Sequence, residues 1–224
     1  MIRLEEELIK LKKMLFEMAT TVEEMIAKSV KALEENNMIL AEEVRRTDDR
    51  IDEIEVEIDN QCIKILALYH PEAEDLRTVT MIMKINNDLE RIGDHAVNIA
   101  EKAIYLADKP PVKPLIDIPK MAEKAIEMLQ ESLDSFVNKD AELAVAVCKK
   151  DDEVDALEPQ IVRELITYMI TDPQTIDRAL TLIFIARGLE RVADLATNIA
   201  EDTYYIASGK ILKHHHNTTP MEKS

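Results

Sequence analysis

Apolar or small residues recur along the start of the chain at Leu4, Leu8, Leu11, Leu15, Met18, Val22, Met25, Ser29 and Ala32, in alternating steps of four and three. A 3.5-residue repeat keeps one stripe turned toward neighbouring helices when these wind gently left-handed about one another, as in antiparallel bundles. The stripe stops at Asn36-Asn37, residues suited to helix ends. A second helical run reaches Tyr69-His70. A third is expected to begin at Pro71, where proline fits a first turn, and to run to Ala107. The segment from Asp108 to Pro119 then holds Pro110, Pro111, Pro114 and Pro119, and no helix continues through it.

After Pro119 the pattern returns. At a constant spacing of 103 residues, Met18, Val22, Met25 and Ser29 fall on Met121, Ala125, Met128 and Ser132, and Asn37 falls on Asp140, a second capping residue. Asp48-Asp49-Arg50-Ile51-Asp52 falls on Asp151-Asp152-Glu153-Val154-Asp155, and Glu55 on Glu158. At a spacing of 100, Leu89-Glu90-Arg91-Ile92-Gly93-Asp94 falls on Leu189-Glu190-Arg191-Val192-Ala193-Asp194, and Asn98-Ile99-Ala100-Glu101 on Asn198-Ile199-Ala200-Glu201. The chain therefore reads as two copies of one three-helix unit, residues 1–109 and 119–209, followed by a flexible tail, 210–224. Helix 1 of the first copy is longer at its start. Pro159 stands where the first copy has Val56, so a kink is expected in the fifth helix and a less regular second site.

Composition supports an all-α fold: three glycines and eight prolines are too few for the turns of a sandwich or barrel, while 46% hydrophobic residues suffice for a packed core. Acidic residues outnumber basic ones 45 to 28, a net charge of −17 spread over both halves. With no basic stripe, neither nucleic acid nor an anionic membrane surface is an expected partner. Cys62 and Cys148 stand singly in helical stretches and read as core thiols of a reducing compartment. No signal sequence and no long uncharged apolar run is visible, so a cytoplasmic location without membrane insertion is expected.

The acids carry the chemistry. On helix 3, Glu90, Asp94, Asn98 and Glu101 fall within about 80° of one another, apart from the apolar Leu89, Ile92, Ala96 and Ala100; on helix 2, Asp48, Asp52 and Glu55 fall within about 60°. Asp151, Asp155 and Glu158, and Glu190, Asp194, Asn198 and Glu201, repeat both stripes. If helices 2 and 3 are antiparallel neighbours, each pair of stripes converges on one groove. A run of acids is ordinarily a solvated face, but stacked like charges destabilise a helix, and their retention in both copies points to a compensating cation. Carboxylate and amide oxygens without thiolate or imidazole suit Mg²⁺, Ca²⁺, Mn²⁺ or ferric iron. No histidine follows a glutamate by three residues, which disfavours a ferritin-like di-iron centre.

Duplicated Asp-x-x-[Ile/Val]-Asp and Glu-Arg-[Ile/Val]-[Gly/Ala]-Asp, with the turn from Tyr69 to Arg77 and the segment from Leu165 to Pro173, resemble the PhoU family over almost the whole chain. The resemblance implies two tandem three-helix bundles related by a pseudo-twofold internal repeat. It also implies a multinuclear metal cluster on the bundle surface, with iron as the first candidate and Mg, Mn, Ca or Zn as the others. Its ligands would be Asp48, Asp52, Glu90, Asp94, Asp151, Asp155, Glu190 and Asp194; Glu55, Asn98, Glu101, Glu158, Asn198 and Glu201 share the faces by helical angle alone and stand in second rank. The implied role is an adaptor that negatively regulates phosphate uptake and phosphate-regulon signalling through the phosphate ABC transporter ATPase and the regulon's sensor histidine kinase. A homodimer stays open.

No nucleophile stands beside a base, and no phosphate-cradling glycine loop occurs, so an enzyme is not expected. A carboxylate-bridged metalloenzyme and a purely structural helical interaction module are the alternatives. Arg91 and Arg191 either meet phosphate or an acidic partner or hold the neighbouring carboxylates. His95 is expected to be an exposed histidine off the acid stripe.

Overall fold

A computed structural model describes residues 2–209; the expected tail, 210–224, lies outside the described residues. Six helices follow one another: α1 (Ile2–Glu35), α2 (Met38–Tyr69), α3 (Ala73–Leu106), α4 (Asp117–Asn138), α5 (Ala141–Thr171) and α6 (Ile176–Ser208), with a 3₁₀ turn, Pro173–Thr175, before the last. There is no strand among the described residues. Helices α1, α2 and α3 pack as one bundle and α4, α5 and α6 as a second; α3 against α6 and α1 against α4 join them.

The apolar seam forms the core. Leu11, Leu15, Met18, Val22, Met25, Ser29 and Ala32 are buried, with Leu4 and Leu8 packed at its edge. The capping residues act as the sequence suggests: the Asn37 side chain accepts from the Leu40 amide at 3.1 Å, and that of Asp140 from the Glu142 and Leu143 amides at 3.0 Å. Cys62 is buried and Cys148 half-buried, both as free thiols. Burial pushes each up to about 12.

Helix boundaries differ from expectation at two prolines. The third helix begins at Ala73, not Pro71, because His70 and Ala73 both take positive φ (45° and 46°). The chain reverses between them, and the fixed φ of the buried Pro71 serves that corner instead of a helical turn. The fourth helix begins at Asp117, which puts Pro119 in its first turn, where no backbone bond is lost. Pro159, the expected kink, lies on the exposed side of a helix that continues from Ala141 to Thr171.

The proline-rich linker does in the second bundle what the extra turns of α1 do in the first. Glu7 of α1 accepts from Gln61 and pairs with Lys64 on α2. The counterpart of Gln61 is Glu164, and its partner is Lys113 of the linker, whose buried ammonium also meets Asp117 at 2.9 Å.

Across the join, Lys84 pairs with Asp202 at 2.9 Å, and Ile99 packs against Gly188. The two helices therefore run antiparallel, with Gly93 and its counterpart Ala193 at the same level along them. The pseudo-twofold axis crosses the join there, beside the motif acids.

Candidate metal centre

Each acid groove lies between two antiparallel helices of one bundle, α2 with α3 and α5 with α6. The inward face of each helix carries the isoleucines, leucines and valines of the core, which leaves the acids along the edge of the seam: Asp48 is half-buried beside buried Ile51, and Glu90 half-buried beside buried Leu89.

In the first groove the acids sense one another. Burial, then the charges of Asp52 and Asp94, raise the pKa of Asp48. Burial, then Asp94, Glu55, Asp52 and Asp48, raise that of Glu90. Glu55 is raised by burial, Asp59 and Asp52. The structure thus brings Asp48, Asp52, Glu90 and Asp94 together, and Glu55 with them.

The second groove is the tighter one. Carboxylate oxygens of Asp151, Asp155 and Asp194 lie within 4.8 Å of one another, the one such group of three among the described residues. Asp151 is buried, and its Oδ1 and the neighbouring Thr197 hydroxyl have no partner of good hydrogen-bond geometry, though Thr197 lies close enough to favour the charged carboxylate. Burial, followed by the charges of Asp155 and Asp194, pushes the Asp151 carboxyl up to about 6, against a smaller opposite pull from Thr197. Two like charges 4.8 Å apart repel by about 3 kcal/mol at an effective dielectric constant of about 20. Glu190 adjoins the group, its pKa raised by burial and Asp194 and drawn back by Arg191. The exposed Pro159 lies beyond these acids along α5 and leaves their convergence intact.

A hard cation fits this donor set. Every approaching atom is oxygen, and a buried, unpartnered carboxylate oxygen is costly unless something cationic or hydrogen-bonding meets it. In the second groove Asp151, Asp155, Asp194 and Glu190 would hold the ion, and in the first Asp48, Asp52, Glu90 and Asp94.

The second-rank residues sit elsewhere. Asn98 is exposed and donates its amide back to the Asp94 carbonyl at 2.8 Å. Glu101 pairs with Arg45 at 3.7 Å. Asn198 and Glu201 line an open cavity of about 450 Å³ between α3 and α6, with Lys84, Asp88 and Asp202. Glu158 differs: it pairs with Arg187 at 3.3 Å, yet lies close enough to Glu190 for its charge to raise that pKa, as Glu55 does for Glu90.

The arginines bind neighbouring acids: Arg191 pairs with Asp194 at 3.1 Å and Glu190 at 3.8 Å, and Arg91 with Asp88 at 3.9 Å. His95 is half-buried, not exposed, because α6 packs over α3. Loss of solvent lowers its pKa, and Arg91 and Arg191 add to the effect.

Two features escape the repeat comparison. Thr197 stands beside Asp151 where the first copy has Val97, so no duplication marks it; its position three residues after Asp194 is the only signal. Asp59 and Asn86 extend the first groove, the Asn86 amide donating to Asp59 at 3.1 Å, where the second copy has Val162 and Ala186.

Comparison with known proteins places these features in a family. The PhoU domain matches twice, at residues 15–103 and 118–203. A phosphate-specific transport system accessory protein PhoU homolog from Aquifex aeolicus is 49% identical over 96% of this chain and 97% of its own length. One from Pseudomonas aeruginosa is 39% identical over 93% of this chain and 86% of its own. Among solved structures, PhoU from Pseudomonas aeruginosa superposes with a TM-score of 0.89 at 39% identity, covering 92% of this chain and 99% of that one. The phosphate transport system regulatory protein PhoU from Streptococcus pneumoniae gives 0.86 at 28% identity, covering 93% and 99%.

Proposed function

The chain belongs to the PhoU family, whose curated homologues are phosphate transport accessory proteins, and from that premise we propose that it is a metal-binding helical adaptor that restrains phosphate uptake and phosphate-regulon signalling. The observation that carries the metal is the convergence of Asp151, Asp155 and Asp194 around a buried, unpartnered Asp151 oxygen. A bound cation supplies positive charge there; iron is the first candidate by family resemblance, with Mg, Mn, Ca or Zn compatible with some or all of the donors.

The adaptor's contacts are with the transporter's ATPase and the sensor histidine kinase. Supporting a protein-contact role, Ile176, Leu180 and Phe184 recur every fourth residue along α6 and are exposed at 41, 41 and 52%. No described helix is long and apolar enough to cross a membrane, so contact with a membrane-bound partner would come from the protein's surface.

Elemental analysis of protein ending at Leu212, which removes the three tail histidines, tests the metal. Bound metal falls in Asp151→Asn/Asp155→Asn/Asp194→Asn, and unchanged stoichiometry overturns the ligand assignment. The regulatory half is tested in a strain lacking the gene. Phosphate-regulon expression in phosphate-rich medium is restored to low levels by the intact protein but not by Leu180→Glu/Phe184→Glu; a deletion strain that stays repressed refutes that half.

A further inference from the structure

Where the linker crosses from one bundle to the other it walls a cavity of about 300 Å³, at the small end of ligand pockets. Its apolar sides come from Leu33 of α1, Leu106 of α3 and Leu182 of α6, so both repeats contribute. Lys109, Lys113 and Arg178 line it against one carboxylate, Glu34, in a protein of net charge −17. Lys113 is committed to Asp117 and Glu164, neither of which lines the cavity. Lys109 and Arg178 have no carboxylate partner among the described residues: the Lys109 ammonium rests over the Tyr105 ring, and the Arg178 guanidinium donates to the carbonyls of Pro110 and Gln174. Both side chains are half-buried, so their charge meets an apolar wall as well as water. The first repeat lacks the residues that would build its equivalent. Arg178 falls on Thr78, and the linker exists once, so the cavity is not a by-product of duplication.

We propose that this cavity binds a small organic anion, one carboxylate or phosphate group on an apolar body, with Lys109 and Arg178 meeting the charge and the three leucines enclosing the rest. Inorganic phosphate alone would leave those walls unused. A ligand held here touches α1, α3, the linker and α6 together and ties the two bundles to each other. The acid grooves play no part in it.

Phenyl phosphate and benzoate are the probes, with benzyl alcohol and inorganic phosphate as controls, titrated into the full chain by calorimetry and by thermal melt. At least one of the two aryl anions is expected to bind saturably with a Kd of about 1 mM or tighter and to raise the Tm by mass action. Lys109→Gln, whose side chain makes no hydrogen bond, weakens it by about tenfold, and Arg178→Gln by as much or more. Which anion binds more tightly distinguishes a carboxylate from a phosphate ester. Metal content stays that of the wild type in both variants, which separates this result from the fate of the acid grooves. Absence of saturable binding by both anions, equal binding of benzyl alcohol or inorganic phosphate, or indifference to both substitutions overturns the proposal.

Discussion

Asp151→Asn is expected to stabilise the metal-free protein, the reverse of what losing a well-partnered buried side chain does. The wild-type carboxylate is buried, its Oδ1 has no partner, and Asp155 and Asp194 stand beside it. Together these lift its pKa from an ordinary 3.8 to about 6. Each tenfold change in proton affinity is worth about 1.4 kcal/mol, so holding the charge in place at pH 7 costs about 3 kcal/mol. A carboxyl whose folded pKa lies above its unfolded value binds more protons when folded. Its penalty is therefore nearly absent below about pH 4, grows through about half its size at pH 5, and is complete above about pH 6. Asparagine keeps the shape without the charge and gains an amide that can donate to its neighbours. For a chain of this size the gain corresponds to about 6 °C or more in Tm at pH 7. Urea or thermal unfolding of chelator-treated protein at pH 4, 5 and 7 measures it. Added cation should then narrow the difference, since an ion at a hundredfold over its Kd stabilises the wild type by about 2.7 kcal/mol and the variant by less. No gain at pH 7, or a gain of the same size at pH 4, refutes the reasoning.

Gly93→Ala is expected to stabilise by about 0.5–1 kcal/mol: the new methyl would sit at 3.5–3.9 Å from Ile51, Asp48 and Met25, ordinary contact, and alanine is the better helix former. A lower Tm would show the first groove to be tighter than it is drawn. Lys113→Met leaves Asp117 and Glu164 facing each other without their shared cation. Because both carboxylates reach solvent the loss is held to about 2 kcal/mol, and a neutral result in urea unfolding would refute it. Asp140→Ala frees the Glu142 and Leu143 amides at the start of α5 and should cost about 1 kcal/mol, while Asn37→Ala, with one amide to lose, costs no more. Cys62, fully buried and pushed up to about 12, should react with a thiol reagent at pH 8 only as fast as the native structure opens; labelling at the rate of a free thiol contradicts its burial.

The six helices are legible because each carries its period openly. The Leu4-to-Ala32 stripe dictates which face of α1 is buried, and Asn37 and Asp140 mark their helix starts by a chemistry that needs no tertiary context. Pro71 misleads because the same fixed φ suits a first helical turn and a tight corner, and left-handed backbone at His70 and Ala73 decides between them. Helical angles put the four motif acids of each groove on one stripe with the second-rank residues, and it is the family resemblance that ranks the four first. Angles fix direction along one helix but not which neighbour lies there: α6 covers one flank of α3, and so Asn198 and Glu201 face the join between bundles while His95 loses solvent.

Duplication makes the two grooves look equivalent, and the residues that make them unequal lie outside the duplicated motifs. Arg91 turns to Asp88, whereas Arg191 leans on Asp194 and Glu190 within the second groove. Gly93 leaves space beside Asp48, whereas Ala193 fills its counterpart. Asn86 donates to Asp59 and to the Glu55 carbonyl in the first groove, giving that end hydrogen bonds of its own. The second groove has Ala186 and Val162 in those places, and although Arg191 offsets Asp194 and Glu190, burial and mutual repulsion act on Asp151 with only Thr197 against them. A cation has most to relieve where the protein has provided least. By that reasoning the second groove should gain more stability from a first equivalent of metal, and melts of the two single-groove variants, titrated side by side, would show the larger rise in the protein that retains Asp151, Asp155, Glu190 and Asp194.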